Sequence, residues 1–198
     1  MDSRAWPGLW WRSVLLMFAL ALGHPAGAAT PATTLRIDPL RSHAEFTVRL
    51  LWFQHIRGRF ERIRGALTWM PADDAGVVEA WIDVASVRMP ELRYKHWLLA
   101  PEFFDAAQYP HIHFVSTPVP MAELAAGGPL RGRLTMRGVT RPVDFRMLPS
   151  ACPRPRAAPC TIRVLGTVRR SDFGMRGHRA ALSDRVQLGL LIVLQPAA

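Results

Sequence analysis

The 198-residue sequence predicts an all-β domain with one short helical insertion, either a sandwich or a closed barrel. Three observations lead there. Apolar and polar residues alternate with period two in run after run beyond residue 34, turn signals separate those runs at short intervals, and a single segment carries helical spacing instead.

The chain opens on a segment that is set aside from the fold. Arg4 and Arg12 precede the apolar run "SVLLMFALAL", and Ala26-Gly27-Ala28 supplies the small residues of a cleavage site, so residues 1–28 read as a signal peptide cut after Ala28. The run is shorter than the roughly 20 apolar residues that span a bilayer, and no cysteine follows to accept a lipid. Residues 29–34 are then expected to form a flexible lead-in and residues 35–198 one domain. A domain of that size buries roughly 70% of its unfolded surface without staples.

Within it, "HAEFTVRLL" sets Ala44, Phe46, Val48 and Leu50 against His43, Glu45, Thr47 and Arg49, as a half-buried strand requires. "VVEAWIDV" sets Val78, Ala80, Ile82 and Val84 against Glu79 and Asp83, and "HIHFVS" sets Ile112 and Phe114 against His111 and His113. Two strands joined at Arg137-Gly138 form "LTMRGVTRPVDF", with Leu134, Met136, Val143 and Phe145 on one face and arginine and threonine on the other. "TIRVLGTVRR" offers Ile162, Val164, Gly166 and Val168. "RVQLGLLIVLQ" offers Val186, Leu188, Leu190, Ile192 and Leu194, and is apolar on its other face too, so something is expected to cover it. The exception is "PELRYKHWLLAPEFFDA", where Leu92, His96 and Leu99 sit at helical spacing between Pro90 and Pro101.

The net charge of +10 falls to +9 once Arg4, Arg12 and Asp2 are removed, and Lys95 is the only lysine. Such a balance favours anionic head groups, and export argues against nucleic acid. Cys152 and Cys160 close "CPRPRAAPC"; in an oxidising compartment they are expected to form a structural disulfide, because the spacing matches neither redox nor zinc motifs. No nucleophile elbow, zinc-protease or phosphate-loop pattern is present, and "SDFG" at Ser171–Gly174 lacks every companion of a kinase site. The inward faces carry almost no polar group on which catalysis could be built, so neither an enzyme nor a catalytic cofactor is expected. His111 and His113 share a face as exposed histidines commonly do, and no metal is assigned to them. Arg93 and His96 on the helix are the candidate contacts for a polar head group, Arg137 and Arg141 read as hydrated turn residues, and Trp52, Phe53, Trp69, Trp81, Trp97, Phe103 and Phe104 read as core.

The runs "LRIDPLRSHAEFTV", "GRFERIRGALTW", "PEFFDAAQYPHIHFVST", "GRLTMRGVTRPVDF" and "RSDFGM", in this order, resemble the YceI-like family of periplasmic polyisoprenoid-binding proteins from about Leu35 to Pro196. The resemblance implies an eight-stranded antiparallel, lipocalin-like barrel whose lumen holds an isoprenoid or quinone-type chain, with no catalytic residues. Two departures stand out: Leu50 replaces a histidine frequent at that position, and Arg93-Tyr94-Lys95-His96-Trp97 keeps the arginine and histidine of an R-D-x-H-L pattern but not its acid or leucine. On this reading Phe46, Val48, Leu50, Ile82, Phe114, Leu134, Phe145, Val164, Leu188 and Leu190 line the lumen, the outer arginines meet anionic membrane surfaces, and the protein is periplasmic. A filled barrel acting through its surface is the alternative.

Overall fold

The computed structural model describes residues 32–51, 53–150, 152 and 160–196. The expected signal peptide, the first residues of the lead-in and Trp52 lie outside the described residues. In chain order the elements are β1 (Thr33–Ile37), β2 (His43–Leu50), β3 (Gln54–Phe60), β4 (Ile63–Met70), β5 (Ala75–Asp83), β6 (Val87–Arg88), α1 (Leu92–Leu99), β7 (His111–Ser116), β8 (Val119–Pro120), α2 (Met121–Ala126), β9 (Gly128–Met136), β10 (Val139–Met147), β11 (Cys160–Arg169) and β12 (Leu182–Pro196). β1 starts inside the expected lead-in, because Thr33 and Thr34 pair with Trp69 and Thr68 of β4.

The sheet closes on itself. The 15-residue β12 pairs along one side with β11 and along the other with both β2 and β1, so β1 and β2 are two halves of one interrupted stave. β3 and β4 form the next stave and β5 with β6 the third, followed by β7, β9, β10 and β11. With β12 these make eight antiparallel staves in up-and-down order, the closure that leaves no open edge. The first three staves break at residues 38–42, 61–62 and 84–86, and the second and third breaks are joined to each other. Arg62 N–H donates to Ser86 Oγ at 3.1 Å and Asp83 N–H donates to the Arg62 carbonyl at 3.0 Å. Phe60 and Ile63 both point inward across that break, a one-residue change of phase that bends the sheet as a bulge does.

The period-two faces assigned from the sequence are the faces observed. Ala44, Phe46 and Val48, Ala80, Ile112, Leu134 and Met136, Phe145, Ile162, Val164 and Val168, and Ile192 and Leu194 are all buried. Close approach of strands fixes some of the glycines: a Cβ at Gly58 would lie 2.3 Å from the Phe46 ring, and one at Gly166 would lie 2.2 Å from the Phe145 ring. Each phenylalanine thus covers a glycine on the neighbouring strand. On the outer side of β12 Val193 is 3% exposed, and its main chain is tied to the 38–42 segment, its N–H donating to Ser42 Oγ and its carbonyl accepting from Asp38 N–H at 2.8 Å.

Several expectations are corrected. Of the three residues at helical spacing on α1, Leu99 turns to the barrel beside Tyr94 and Leu98, while Leu92, 71% exposed, and His96 do not. Phe53 and Trp97 are exposed, at 80% and 47%, so they do not belong to the core with Phe103 and Phe104. Arg137 is not simply hydrated. Its Nη1 donates to the carbonyls of Pro101 and Phe103 at 2.8 and 2.6 Å, pinning the segment that follows α1. Cys152 and Cys160 form a disulfide, with Cys160 opposite Leu194 at the closed end of the barrel.

Candidate ligand cavity

Closing the apolar faces on themselves creates a lumen with two chambers. The inner one, about 100 Å³, is walled by twenty residues from Ile37 to Leu194, every one of them apolar. Seven of the ten lumen residues assigned from the sequence stand there: Ile82, Phe114, Leu134, Phe145, Val164, Leu188 and Leu190. Its far end is plugged by α2, whose Leu124 is 3% exposed. The turn after β10 fastens that plug, Ser150 donating from both its N–H and its Oγ to the carbonyls of Ala125 and Leu124. The sequence signal for Leu124 was available in Pro120 and Gly127, which bracket a short apolar stretch.

The outer chamber, about 230 Å³, is lined by the other three assigned residues, Phe46, Val48 and Leu50, together with Ile56, Met89, Leu98, Phe103 and Leu182. It also holds the polar groups Arg93, Tyr94 and His178. Of the two head-group candidates, Arg93 lines this chamber, whereas His96 on the same helix is exposed and lines neither chamber. Arg93 is engaged by Glu91, its Nε donating to Oε2 at 2.7 Å, and its guanidinium lies 4.8 Å from the centre of the Tyr94 ring. Trp97 and Phe103 stack with His178 at centroid distances of 5.5 and 6.0 Å, forming an aromatic wall that sequence reasoning did not find.

Two arginines set the positions of these walls. Arg170 is 3% exposed, and its guanidinium donates to the carbonyls of Met175, Gly177, Leu182 and Ser183 at 2.7–3.1 Å. Those bonds fold residues 174–182 over the opening and carry His178 with them. Burial lowers the Arg170 pKa, and the charge of Asp184 opposes that shift. Burial acts to raise the Asp184 carboxyl, yet bonds from the Ser171 O–H and N–H and the positive charges of Arg170 and Arg169 outweigh it and hold the carboxyl below its usual value. Arg137 similarly holds the Phe103 segment.

From Phe46 on the wall of the outer chamber runs a chain of rings: Phe46 to Phe60 at 5.6 Å, and Phe60 to Phe104 at 5.8 Å, nearly perpendicular. Phe46 lines the outer chamber while Leu188, directly opposite on β12, lines the inner one. Away from the lumen, His113 Nε2 hydrogen-bonds to Glu79 Oε1 at 2.8 Å and its ring stacks on Trp81 at 3.7 Å. Groups of three or more His, Cys, Asp or Glu able to hold a metal do not occur among the described residues.

Comparison with known proteins gives this arrangement relatives. Residues 35–194 match the family model described as the YceI-like domain. A UPF0312 protein of Pseudomonas putida is 32% identical over 134 residues, covering 65% of this chain and 69% of that one. A UPF0312 protein of Pectobacterium carotovorum is 25% identical over 182 residues, covering 89% and 93%. Among solved structures, BcnA of Burkholderia cenocepacia matches with a TM-score of 0.67 at 23% identity, covering 79% of this chain and 98% of its own. A polyisoprenoid binding domain from Saccharophagus degradans, described as implicated in plant cell wall breakdown, matches at 0.63 with 15% identity, covering 84% and 100%. At these identities the two structures share the fold.

Proposed function

The chain belongs to the YceI-like family, and from that premise we propose that it is an exported binding protein that holds a long isoprenoid chain, polyprenyl or quinone-type, in its lumen for transport or storage. The observation that carries this reading is the inner chamber, whose twenty-residue wall includes no polar side chain. Such a wall offers nothing to a charged or hydrogen-bonding ligand and everything to a hydrocarbon. Each methylene taken from water contributes about 0.8 kcal/mol, so one five-carbon prenyl unit gains about 4 kcal/mol. The tail therefore enters first and the head group stays with Arg93, Tyr94 and His178 at the mouth. The description of the Saccharophagus domain as polyisoprenoid binding supports the ligand class. The disulfide fits an oxidising compartment, which supports the periplasm as the place of work.

The size of the chambers sets a condition. An apolar cavity of about 150 Å³ accommodates benzene; by that measure chambers of about 100 and 230 Å³ take up about two prenyl units as they stand. A longer tail requires the Phe46, Phe60 and Phe104 rings to swing and join the chambers. The same small inner volume favours a second reading, a filled barrel that acts through its surface. Titration of the protein with prenyl alcohols of increasing length separates the two. Affinity that rises with each added unit and then levels off is expected, while a folded barrel that takes none of the series supports the filled form.

A further inference from the structure

Among the described residues, six large apolar side chains are strongly exposed, and four of them surround the opening of the outer chamber. Leu51 and Phe53 form the tip of the β2–β3 hairpin, beside Leu50 and Ile56 of the chamber wall. Leu92 and Trp97 project from α1 on the other flank, and Trp97 reaches into the chamber itself. Fully exposed phenylalanine at 80% and leucine at 71% are costly to leave in water, and here they are gathered at one end of the barrel rather than scattered.

Cations accompany them. Arg49 lies opposite His55 on the hairpin, Lys95 is on α1, and Arg176 and Arg179 flank His178 on the segment that Arg170 folds over the mouth. None of these four makes an ion pair among the described residues. Of the nearby acids, Glu91 pairs with Arg93 and Asp184 bonds to Ser171 beside the buried Arg170, while Asp172 and Glu102, the latter beside Gly177, carry opposing charge. Apolar side chains at the tip with unpaired cations behind them match the two layers of an anionic bilayer, acyl boundary and phosphate.

We propose that the open end of the barrel docks on anionic phospholipid membranes, with Leu51, Phe53, Leu92 and Trp97 inserted at the acyl boundary and Arg49, Lys95, Arg176 and Arg179 against the head groups. A reason for such contact follows from the lumen. Moving a hydrocarbon tail from bilayer to lumen exchanges one apolar medium for another, whereas passing it through water exposes every methylene on the way. A mouth seated on the membrane removes the aqueous step. The surface itself depends on no assumption about cargo. Vesicle binding without uptake of prenyl alcohol from detergent would leave the docking face standing and remove the lumen reading, and uptake without vesicle binding would do the reverse.

The test is flotation of the protein, recovered from the soluble extract of the cells that make it, with phosphatidylcholine vesicles with and without phosphatidylglycerol, at low and high salt. Binding is expected with phosphatidylglycerol and to weaken with salt. The Leu51→Ser/Phe53→Ser variant should lower the partition coefficient at least about tenfold, and Arg176→Gln/Arg179→Gln by roughly fivefold per charge removed. Leu40→Ser and Leu165→Ser, exposed away from the mouth, should behave as wild type. Unchanged melting temperatures establish that the variants are folded. As a second readout, brominated acyl chains should quench bound protein, and Trp97→Phe, which keeps the apolar contact, should lose part of that quenching. Wild-type flotation by the Leu51→Ser/Phe53→Ser variant, equal binding to neutral vesicles, absence of binding at low salt, or quenching unaltered by Trp97→Phe would each overturn the proposal.

Discussion

Filling the inner chamber from within is a direct way to separate its wall from its function. Ala44 is 6% exposed on that wall and lies between Leu190 on β12 and Phe60 on β3. In Ala44→Trp the indole replaces a methyl group in a chamber of about 100 Å³, and an indole is larger than the benzene that occupies a cavity of about 150 Å³. The chamber is therefore overfilled, at a cost of about 1–3 kcal/mol. For a domain of this size that lowers the melting temperature by roughly 2–12 °C. Binding loses what the inner chamber supplies, one prenyl unit worth about 4 kcal/mol, or about a thousandfold in affinity. The assay is titration of a fluorescent prenyl alcohol into wild type and variant, with thermal melting and far-ultraviolet circular dichroism as the check on folding. A folded Ala44→Trp barrel with wild-type affinity would show that the tail does not occupy the inner chamber.

Other consequences concern what positions the mouth. Arg170→Met leaves the carbonyls of Met175, Gly177, Leu182 and Ser183 without their donor, and a loss of about 3 kcal/mol or more is expected on melting, with new proteolytic cleavage within residues 174–181. Arg170→Lys should recover little, since an ammonium cannot present the planar fork that reaches all four. The lowered Asp184 pKa means that its contribution to stability is complete above the ordinary value of 3.8 and is lost as pH falls through the lower folded value. Asp184→Asn should therefore melt earlier than wild type at neutral pH and show a smaller further loss in strong acid. Replacing both Cys152 and Cys160 by serine opens a cross-link of sequence separation 8, with an expected loss of about 2.5 kcal/mol and a melting temperature roughly 5–10 °C lower.

The sequence made the strand faces legible because a barrel buries one side of every stave, so that alternation alone sorts Phe46 from Thr47 or Leu188 from Gln187. It concealed β3 and β4 for an equally physical reason. Their inward positions include Gly58 and Gly65, one of them covered by the ring of Phe46, and the phase changes between Phe60 and Ile63, so no single alternation runs through the stave. At the site, the apolar walls of both chambers and Arg93 were readable, whereas the aromatic side of the mouth was not. Tyr94, Trp97, Phe103 and His178 come together from α1, the segment after it and a segment some eighty residues later. What joins them is Arg137 and Arg170 bonding to main-chain carbonyls, and carbonyls leave no trace in a sequence. One buried arginine among many exposed ones looks like the rest. In its neighbours "SDFG" the structure shows Ser171 bonded to Asp184.

The proposal of an isoprenoid-filled lumen is tested most directly by native mass spectrometry of protein purified gently from the cells that make it, followed by solvent extraction and identification of what is released. The expected result is a mass above that of the polypeptide by one long-chain prenyl lipid or quinone, recovered in stoichiometric amount. A bare polypeptide mass, from folded protein that also refuses added prenyl alcohols, would contradict it and leave a filled barrel whose function lies on its surface.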